Sequence, residues 1–590
     1  MPLCNEGDRG ICPTTKVGRL SRGLFLQESL INLFKGERQM TVNILKKAGA
    51  SSDRPETWNS ISWGQCNRDV QRLQTRIVKA TKERRWNKVK ALQHLLTHSF
   101  NGKALAVRRV TENRGKQTPG VDKVLWTSPK SKFEALMSLR QRGYKSSPLR
   151  RVLIPKANGK KRPLSIPTMK DRAMQALYKL ALDPIAETLG DNHSYGFRKE
   201  RSTADAIEQC FTLLSRGIGA KWILEADIEG CFDNISHEWL LEHIPMDRGI
   251  LKKWLKAGFV ADKVLHRTDQ GTPQGGIISP ILANMVLDGL GKKLSEVFPM
   301  KVSSRKPTYK VNFVRYCDDF IITGRSKEIL EKEVLPVVET FLSERGLKLS
   351  KEKTKISHID EGFDFLGQTV RKYDGKLYIT PSKKSVKRFL KSIRLHVRQH
   401  RMEIQHVLIE SLNRKIRGWC QYHRYVCSKR TFSKIRHELW RILWNWSTFR
   451  HPNKGAQWVK DKYFIHDGKA DWCFACTVRD PRKGGKRRVT LYEPTRIPIR
   501  RHIKIKATCN PYDPSWKEYL ARRRKFKEMG NFKRKDLDKV WASQKGCCPG
   551  CDQPMIFEQK WVVHQGVCGD LILCHADCLS HVKKSNGVNR

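Results

Sequence analysis

Tyr316-Cys317-Asp318-Asp319 is the stretch on which the fold turns. Residues 311–315 before it and 320–323 after it are rich in β-formers, which puts the two acids in a turn joining two strands. A hairpin with adjacent carboxylates at its tip suits hard divalent cations, which take oxygen ligands. Alone the pair says little, because most Asp-Asp pairs at turns are solvated turn residues. A third acid upstream changes the reading. Residues 221–228 read as a strand ending at Asp227. Two-metal phosphoryl transfer needs carboxylates from separate elements to hold two Mg²⁺ about 3.5–4 Å apart. Asp227 with Asp318 and Asp319 meets that need if the strands are neighbours in one sheet.

In chain order, Asp227 with Phe232, Pro273-Gln274-Gly275 and Tyr316-Cys317-Asp318-Asp319 resemble the palm motifs of reverse transcriptases. More specifically, the chain resembles group II intron-encoded proteins. Supporting blocks are Thr118-Pro119-Gly120-Val121-Asp122, Ile154-Pro155-Lys156, Arg162-Pro163-Leu164-Ser165-Ile166-Pro167-Thr168, Asp171-Arg172, His193-Ser194-Tyr195-Gly196-Phe197-Arg198 and Phe365-Leu366-Gly367. The resemblance runs from about Trp63 to the C-terminus.

The resemblance implies a multidomain α+β chain: a right-hand polymerase with fingers and palm around an antiparallel sheet, an α-helical thumb, a basic DNA-binding region and a small zinc-binding module. The implied division is 1–60 unassigned, 61–125 N-terminal extension, 126–375 fingers and palm, 376–450 thumb or maturase X domain, 451–540 DNA-binding region and 541–590 a degenerate HNH-type zinc module. It implies an RNA-directed DNA polymerase in which Asp227, Asp318 and Asp319 hold two catalytic Mg²⁺. Lys156 and Arg162 then contact the triphosphate, and Gln274-Gly275 lie against the templating pair and incoming nucleotide. Phe232 clashes with a ribose 2′-hydroxyl and so favours deoxynucleotides. One departure stands out: the family usually has Ala where Cys317 stands. Cysteine is small and tolerates burial, so activity is expected to survive.

Lys and Arg number 115 against 58 Asp and Glu, a formal charge of +57 over 590 residues. That excess, spread along the whole chain, points to a nucleic acid partner and not to a membrane surface. No apolar run approaches the roughly 20 residues of a membrane span, and the N-terminus carries no signal-peptide pattern. Residues 1–39 precede a second methionine, Met40, and match nothing, so either methionine is a candidate start. The 17 cysteines, scattered in a large chain without a secretion signal, read as reduced thiols. The expected location is the bacterial cytoplasm, with the nucleoid when bound to target DNA; an organellar origin is also compatible.

Residues 70–82 and 86–98 read as basic helices. Residues 149–167 alternate apolar and basic side chains around Ala157-Asn158-Gly159, a hairpin signal. Lys156, Lys160, Lys161 and Arg162 flank that turn, where a polymerase needs cations beside the triphosphate. Residues 383–401 and 404–421 read as basic helices; the second leads through Arg414, Lys415, Arg417, Trp419, Tyr422 and Arg424. Aromatics interleaved with Arg and Lys offer stacking faces beside phosphate contacts, which suits RNA. Trp440, Trp444 and Trp446 read as packing residues of the same bundle. The basic runs 481–488 and 522–535 lie where DNA contacts are expected, and Cys473 with Cys476 reads as buried packing.

Cys548, Cys551 and Cys578 have zinc-ligand spacing, with His575 favoured over Cys574 as the fourth ligand of one structural Zn²⁺. The layout resembles the HNH endonuclease domain, but the chemistry does not carry across. His564 is followed by Gln565, Leu579 and Lys583 stand where the family has histidines, and His581 is off register. Zinc binding is expected to remain and cleavage to be lost. The reading as a whole is an intron-encoded polymerase and maturase that promotes splicing, and mobility by target-primed reverse transcription. Its partners are intron RNA, target DNA, an RNA template with a DNA primer, and dNTPs. Rival readings are a splicing-only RNA-binding maturase and a non-intron reverse transcriptase such as a retron or phage-defence enzyme.

Overall fold

The computed structural model describes residues 57–113, 115–155, 159, 161–262, 264–299, 308–466, 468, 471–479, 485–529, 540–555, 561–565, 571–575, 578, 579 and 582. Three helices, Trp63–Lys82, Trp86–His98 and Phe100–Glu112, pack around the long helix Met169–Leu189. The first buries Val70, Gln74, Ile77, Val78 and Thr81, the three-and-four spacing of one helical face. The third begins at a capping serine, Ser99, whose Oγ accepts the Gly102 N–H at 3.0 Å.

The fingers sheet has four strands in the order Lys161–Ile166, Leu149–Pro155, Phe259–Ala261 and Val264–His266. Its first two strands form the expected antiparallel hairpin, with Pro155 opposite Lys161. The palm sheet runs Asn312–Tyr316, Asp319–Gly324, Trp222–Asp227 and Lys355–His358, every pair antiparallel. Ile223, Leu224, Val314, Phe320, Ile321 and Ile322 are buried in it. Runs of branched and aromatic side chains suit strands covered on both faces, and each such side chain contributes about 1.5–3 kcal/mol on burial.

A small sheet of Phe363–Phe365, Gln368–Tyr373 and Lys376–Pro381 leads into three thumb helices, Lys383–Gln399, Gln405–His423 and Lys429–Arg450. Val386, Phe389, Leu390, Ile393 and Val397 line one face of the first and meet Leu408, Leu412, Ile416, Phe432, Leu439 and Trp446. Trp440 and Trp444 pack on the same core, as the sequence leads one to expect. The core continues past residue 450 through Val459, Tyr463, Phe464, Phe474, Val489 and Ile497. The chain then returns to the palm. Asp205, wholly buried, receives the backbone N–H of Ile505 at 2.8 Å and Arg523 Nη2 at 2.5 Å, with His502 Nε2 at 2.9 Å. Near the C-terminus, Trp561–Gln565 pairs antiparallel with Leu571–His575. Among the described residues no helix is long and apolar enough to cross a membrane.

Candidate active site and metal centre

Asp227 ends its strand directly opposite Asp319, the first residue of the neighbouring strand. Tyr316 also pairs with Asp319, across the hairpin, so Cys317 and Asp318 form a two-residue turn, with Cys317 at φ +61°. Three carboxylates from two elements therefore meet at one end of the palm sheet. Burial, then the charges of Asp227 and Asp318, push the Asp319 carboxyl up to about 7. Burial also raises Asp318; the charge of Asp227 adds to this, while Arg162 and Lys353 oppose it. Lys353 Nζ forms an ion pair with Asp227 Oδ2. Acids crowded in a half-dry site repel one another and hold protons or cations to relieve it. With oxygen as the ligand atom of all three, the set fits hard divalent ions.

A buried arginine fixes the turn. Arg315, with no side-chain exposure, donates from Nη2 to Asp288 Oδ1 at 2.5 Å. Its Nη1 donates to Asn284 Oδ1 at 3.1 Å and to the Cys317 carbonyl at 3.2 Å. Asn284 Nδ2 donates in turn to the Gly196 carbonyl at 2.8 Å. Gly196 lies so close to the turn that a Cβ there would stand 2.4 Å from the Cys317 nitrogen and 2.3 Å from its sulfur. The backbone of Tyr195 donates to the Arg315 carbonyl at 2.9 Å, and that of Arg315 to His193 at 3.0 Å. The block from His193 to Arg198 is thus a brace along the outer palm strand.

Of the residues expected around a nucleotide, Lys156 lies outside the described residues. Arg162 is exposed on the hairpin, close enough for its charge to act on Asp318. The Gln274 carbonyl accepts the Ser165 N–H at 2.7 Å, and its side-chain amide donates to Asp233 Oδ2 at 3.0 Å. Gly275 has φ +122°, and a Cβ there would stand 2.6 Å from the Ser165 carbonyl, so this loop rests directly on the fingers. Phe232, on the short helix Cys231–Asn234, meets Phe197 edge-on at 6.4 Å, and its carbonyl accepts the Thr272 N–H at 2.6 Å. A cleft of about 270 Å³ lies where fingers and palm meet, lined by Ser165, Phe232, Asp233, Gly271 and Thr272 among others.

The thumb residues divide by exposure. Arg414, Lys415 and Arg417 are exposed on the helix Gln405–His423. Arg417 also lies over the Tyr492 ring, 5.1 Å from its centroid. Tyr422 is 38% exposed, and its hydroxyl donates to the Leu366 carbonyl at 2.8 Å. Trp419 stacks on Phe389 at 4.8 Å against the thumb core. Arg424 is buried, with Nη1 donating to Gln421 Oε1 at 2.6 Å. Those last two side chains are spent on packing and on finishing the helix.

The second cluster lies near the C-terminus. Ligand atoms of Cys548, Cys551, His575 and Cys578, all buried, lie within 4.8 Å of one another. Cys551 Sγ is 3.3 Å from His575 Nδ1. Three sulfurs and one imidazole nitrogen at this spacing match a closed tetrahedral zinc site. Cys574 is buried on the strand but outside the set. His564 sits on the partner strand opposite Ile572, whereas His581 and Lys583 lie outside the described residues. Cys473 and Cys476 are half-buried, the latter against the thumb core.

Residues 58–139 match the N-terminal domain of reverse transcriptase, 154–370 the reverse transcriptase (RNA-dependent DNA polymerase) family, and 386–464 the group II intron maturase-specific domain. Protein YkfC of Escherichia coli K12 is 33% identical over 306 residues, 45% of this chain and 78% of that one. The group II intron-encoded protein LtrA of Lactococcus lactis is 30% identical over 328 residues, 45% of this chain and 54% of that one. The chain belongs to the group II intron reverse transcriptases. The match spans about half the length of the Lactococcus protein. Among solved structures, telomerase from Candida albicans with a fragment of telomeric RNA aligns at TM-score 0.30 and 14% identity, over 55% of this chain and 62% of that one. That likeness is too slight to bear on the fold.

Sequence reading of this reverse transcriptase missed Lys353, Arg315, Asn284 and Asp288. A charged residue inside the apolar strand Asn312–Tyr316 is itself a signal for Arg315, since a buried guanidinium needs a built partner set. Lys353 carried no such signal, because it reaches Asp227 from 126 residues away.

Proposed function

We propose that this reverse transcriptase is the protein partner of a group II intron RNA, which it helps to splice and copies into DNA at a target site. The observation that carries the reading is the pairing of Asp227 with Asp319 beside the Asp318 turn. Two Mg²⁺ held there would lower the pKa of the primer 3′-hydroxyl and neutralise the departing pyrophosphate. Asp227 and Asp318 would hold these ions, with Asp319 supporting the metal site. Arg162, with Lys156, meets the triphosphate. Gln274 and Gly275 back the templating pair, and the Phe232 ring blocks a ribose 2′-hydroxyl.

Intron RNA is gripped by Arg414, Lys415 and Arg417 on the thumb, with Tyr422 at the edge of the same face. As a maturase the protein acts by binding: its cations screen phosphate repulsion while the RNA adopts its splicing-competent fold. The basic region over 451–540 meets target DNA, and the Cys548, Cys551, His575 and Cys578 site holds one structural Zn²⁺. The HNH-like module does not cut. The setting that follows is the bacterial cytoplasm, with the nucleoid during insertion.

The test uses purified protein and precursor RNA carrying the intron that flanks its gene, at a Mg²⁺ level where the RNA alone does not splice. Protein-dependent splicing is expected, together with Mg²⁺-dependent extension of a DNA primer on the intron template. Extension without any effect on splicing would favour a reverse transcriptase outside the intron setting. Incubating the ribonucleoprotein with labelled target duplex should give no protein-dependent cut opposite the insertion site. Such a cut, lost on His564→Ala, would reverse the reading of the C-terminal module.

A further inference from the structure

The zinc cluster is not a free appendage. Two of its four ligand positions are held by helices from the opposite end of the chain. Asn67, on the helix Trp63–Lys82, is 7% exposed, and its Nδ2 donates to the Cys551 carbonyl at 2.7 Å. Its neighbour Arg68 pairs with Asp552 at 2.8 Å. Arg108, on the helix Phe100–Glu112, donates from Nη2 to the Cys578 sulfur at 3.2 Å. The Arg108 side chain is 14% exposed; it lies over the Trp63 ring at 4.7 Å, and its Nε donates to Glu112 at 2.9 Å.

We infer that the C-terminal metal centre is a clamp: zinc binding docks Cys551, Asp552 and Cys578 onto the two N-terminal helices, with Arg108 as the counter-ion of the loaded cluster. Zn²⁺ with three thiolates and one neutral imidazole carries a net negative charge. A buried charge of that kind needs a nearby opposite charge and hydrogen bonds. Arg108 supplies both, and it is already fixed by Trp63 on one side and Glu112 on the other.

Because the free energy of binding a structural zinc is also folding free energy, loss of the ion frees the ligand positions that present Cys551, Asp552 and Cys578. All three contacts then go together. The same face of the helix Trp63–Lys82 also rests on the helix Met169–Leu189, where Gln74 Nε2 donates to the Leu180 carbonyl at 2.8 Å. The clamp therefore braces the N-terminal helices against the helix Met169–Leu189, which follows the fingers hairpin. This gives the module a task that needs no nuclease. Docking and metal binding are linked, so each strengthens the other by the same factor.

The proposal rests on the zinc reading of the four ligands, and the experiment separates the two. Full-length protein is assayed for zinc by mass spectrometry, then compared by hydrogen exchange before and after removal of the metal with a chelator. One zinc per chain is expected. Stripping it should speed exchange in residues 63–82 and 100–112 as well as in the module, and leave the thumb helices unchanged. Arg108→Ala should weaken zinc affinity by about tenfold or more, in the range typical of groups that support a ligand. Arg108→Lys should recover part of that loss, and Asn67→Leu should speed metal release. If Arg108→Ala fails to fold, the chelation arm and Asn67→Leu still decide. A protein without zinc overturns the metal centre itself. A zinc protein whose N-terminal helices exchange no faster once stripped overturns the clamp alone.

Discussion

Asp227 and Asp319 are direct partners across the two central strands of the palm sheet. Because side chains alternate along a strand, a slip of one residue would turn one carboxylate to the opposite face. The register therefore sets the metal geometry as much as the residues do. Asp318→Ala should abolish Mg²⁺-dependent primer extension on an RNA template, and Asp227→Asn should do the same. RNA binding, measured by filter retention, should stay within about twofold, since it comes from many distributed cations. Extension by Asp318→Ala at the parental rate would end the two-metal assignment.

The same crowding gives a pH signature. Without divalent ions Asp319 sits up at about 7, held there by burial and by the charges of Asp227 and Asp318. Between the ordinary carboxylate value of about 4 and that point, the folded protein keeps a proton that the unfolded chain has released. Stability of the metal-free protein should therefore fall as pH rises across this window. Mg²⁺ competes with that proton, so it should stabilise the protein more at the upper end than at the lower. Melting temperatures across the window, with and without Mg²⁺, check both slopes. Asp319→Asn should flatten them; an unchanged pH dependence in that variant would show that another group is responsible.

Gly196 and Cys317 make a second prediction about the turn. Any side chain at Gly196 would collide with the Cys317 backbone, and the turn itself carries Asp318 and leads straight into Asp319. Gly196→Ala should thus cut extension by orders of magnitude while circular dichroism changes little. Cys317→Ala removes only the sulfur and relieves no backbone requirement, so it should keep activity within about threefold. A rate collapse in Cys317→Ala would mean that the thiol has a role beyond filling space.

The palm acids were legible because each lies in a short run whose pattern is local: apolar strand, acid, turn. The grouping of Cys548, Cys551, His575 and Cys578 was legible for the same reason, as pairs at fixed spacing. What the sequence hid is which surface meets which. Periodicity marks the buried face of Trp63–Lys82, Asn67 included, yet nothing in it says that Asn67 and its neighbour Arg68 will hold Cys551 and Asp552, 484 residues away. Likewise Val459, Phe474 and Val489 look like the core of a separate unit until they are found inside the thumb. Composition also overreached at Trp419 and Arg424. An aromatic–basic mixture gives the inventory of a surface but not its direction, and those two side chains turn inward.

That division sharpens the expectation for RNA. Arg414, Lys415 and Arg417 keep their charges in solvent on one helix, so each can displace counterions from a phosphate. Replacing all three by alanine should weaken intron RNA binding. It should also flatten the plot of log affinity against log salt by roughly 0.7 per lost contact on single strands, or about two in slope altogether. The helix itself should hold, since its buried face of Leu408, Leu412, Ile416 and Cys420 is untouched. Splicing assistance should then drop more than extension on a short generic primer–template, which asks little of this face. Measuring both activities in the triple variant across a salt series decides the matter. Equal losses in the two, with the parental salt slope retained, would move the RNA face elsewhere and leave these three cations as ordinary solvated charge.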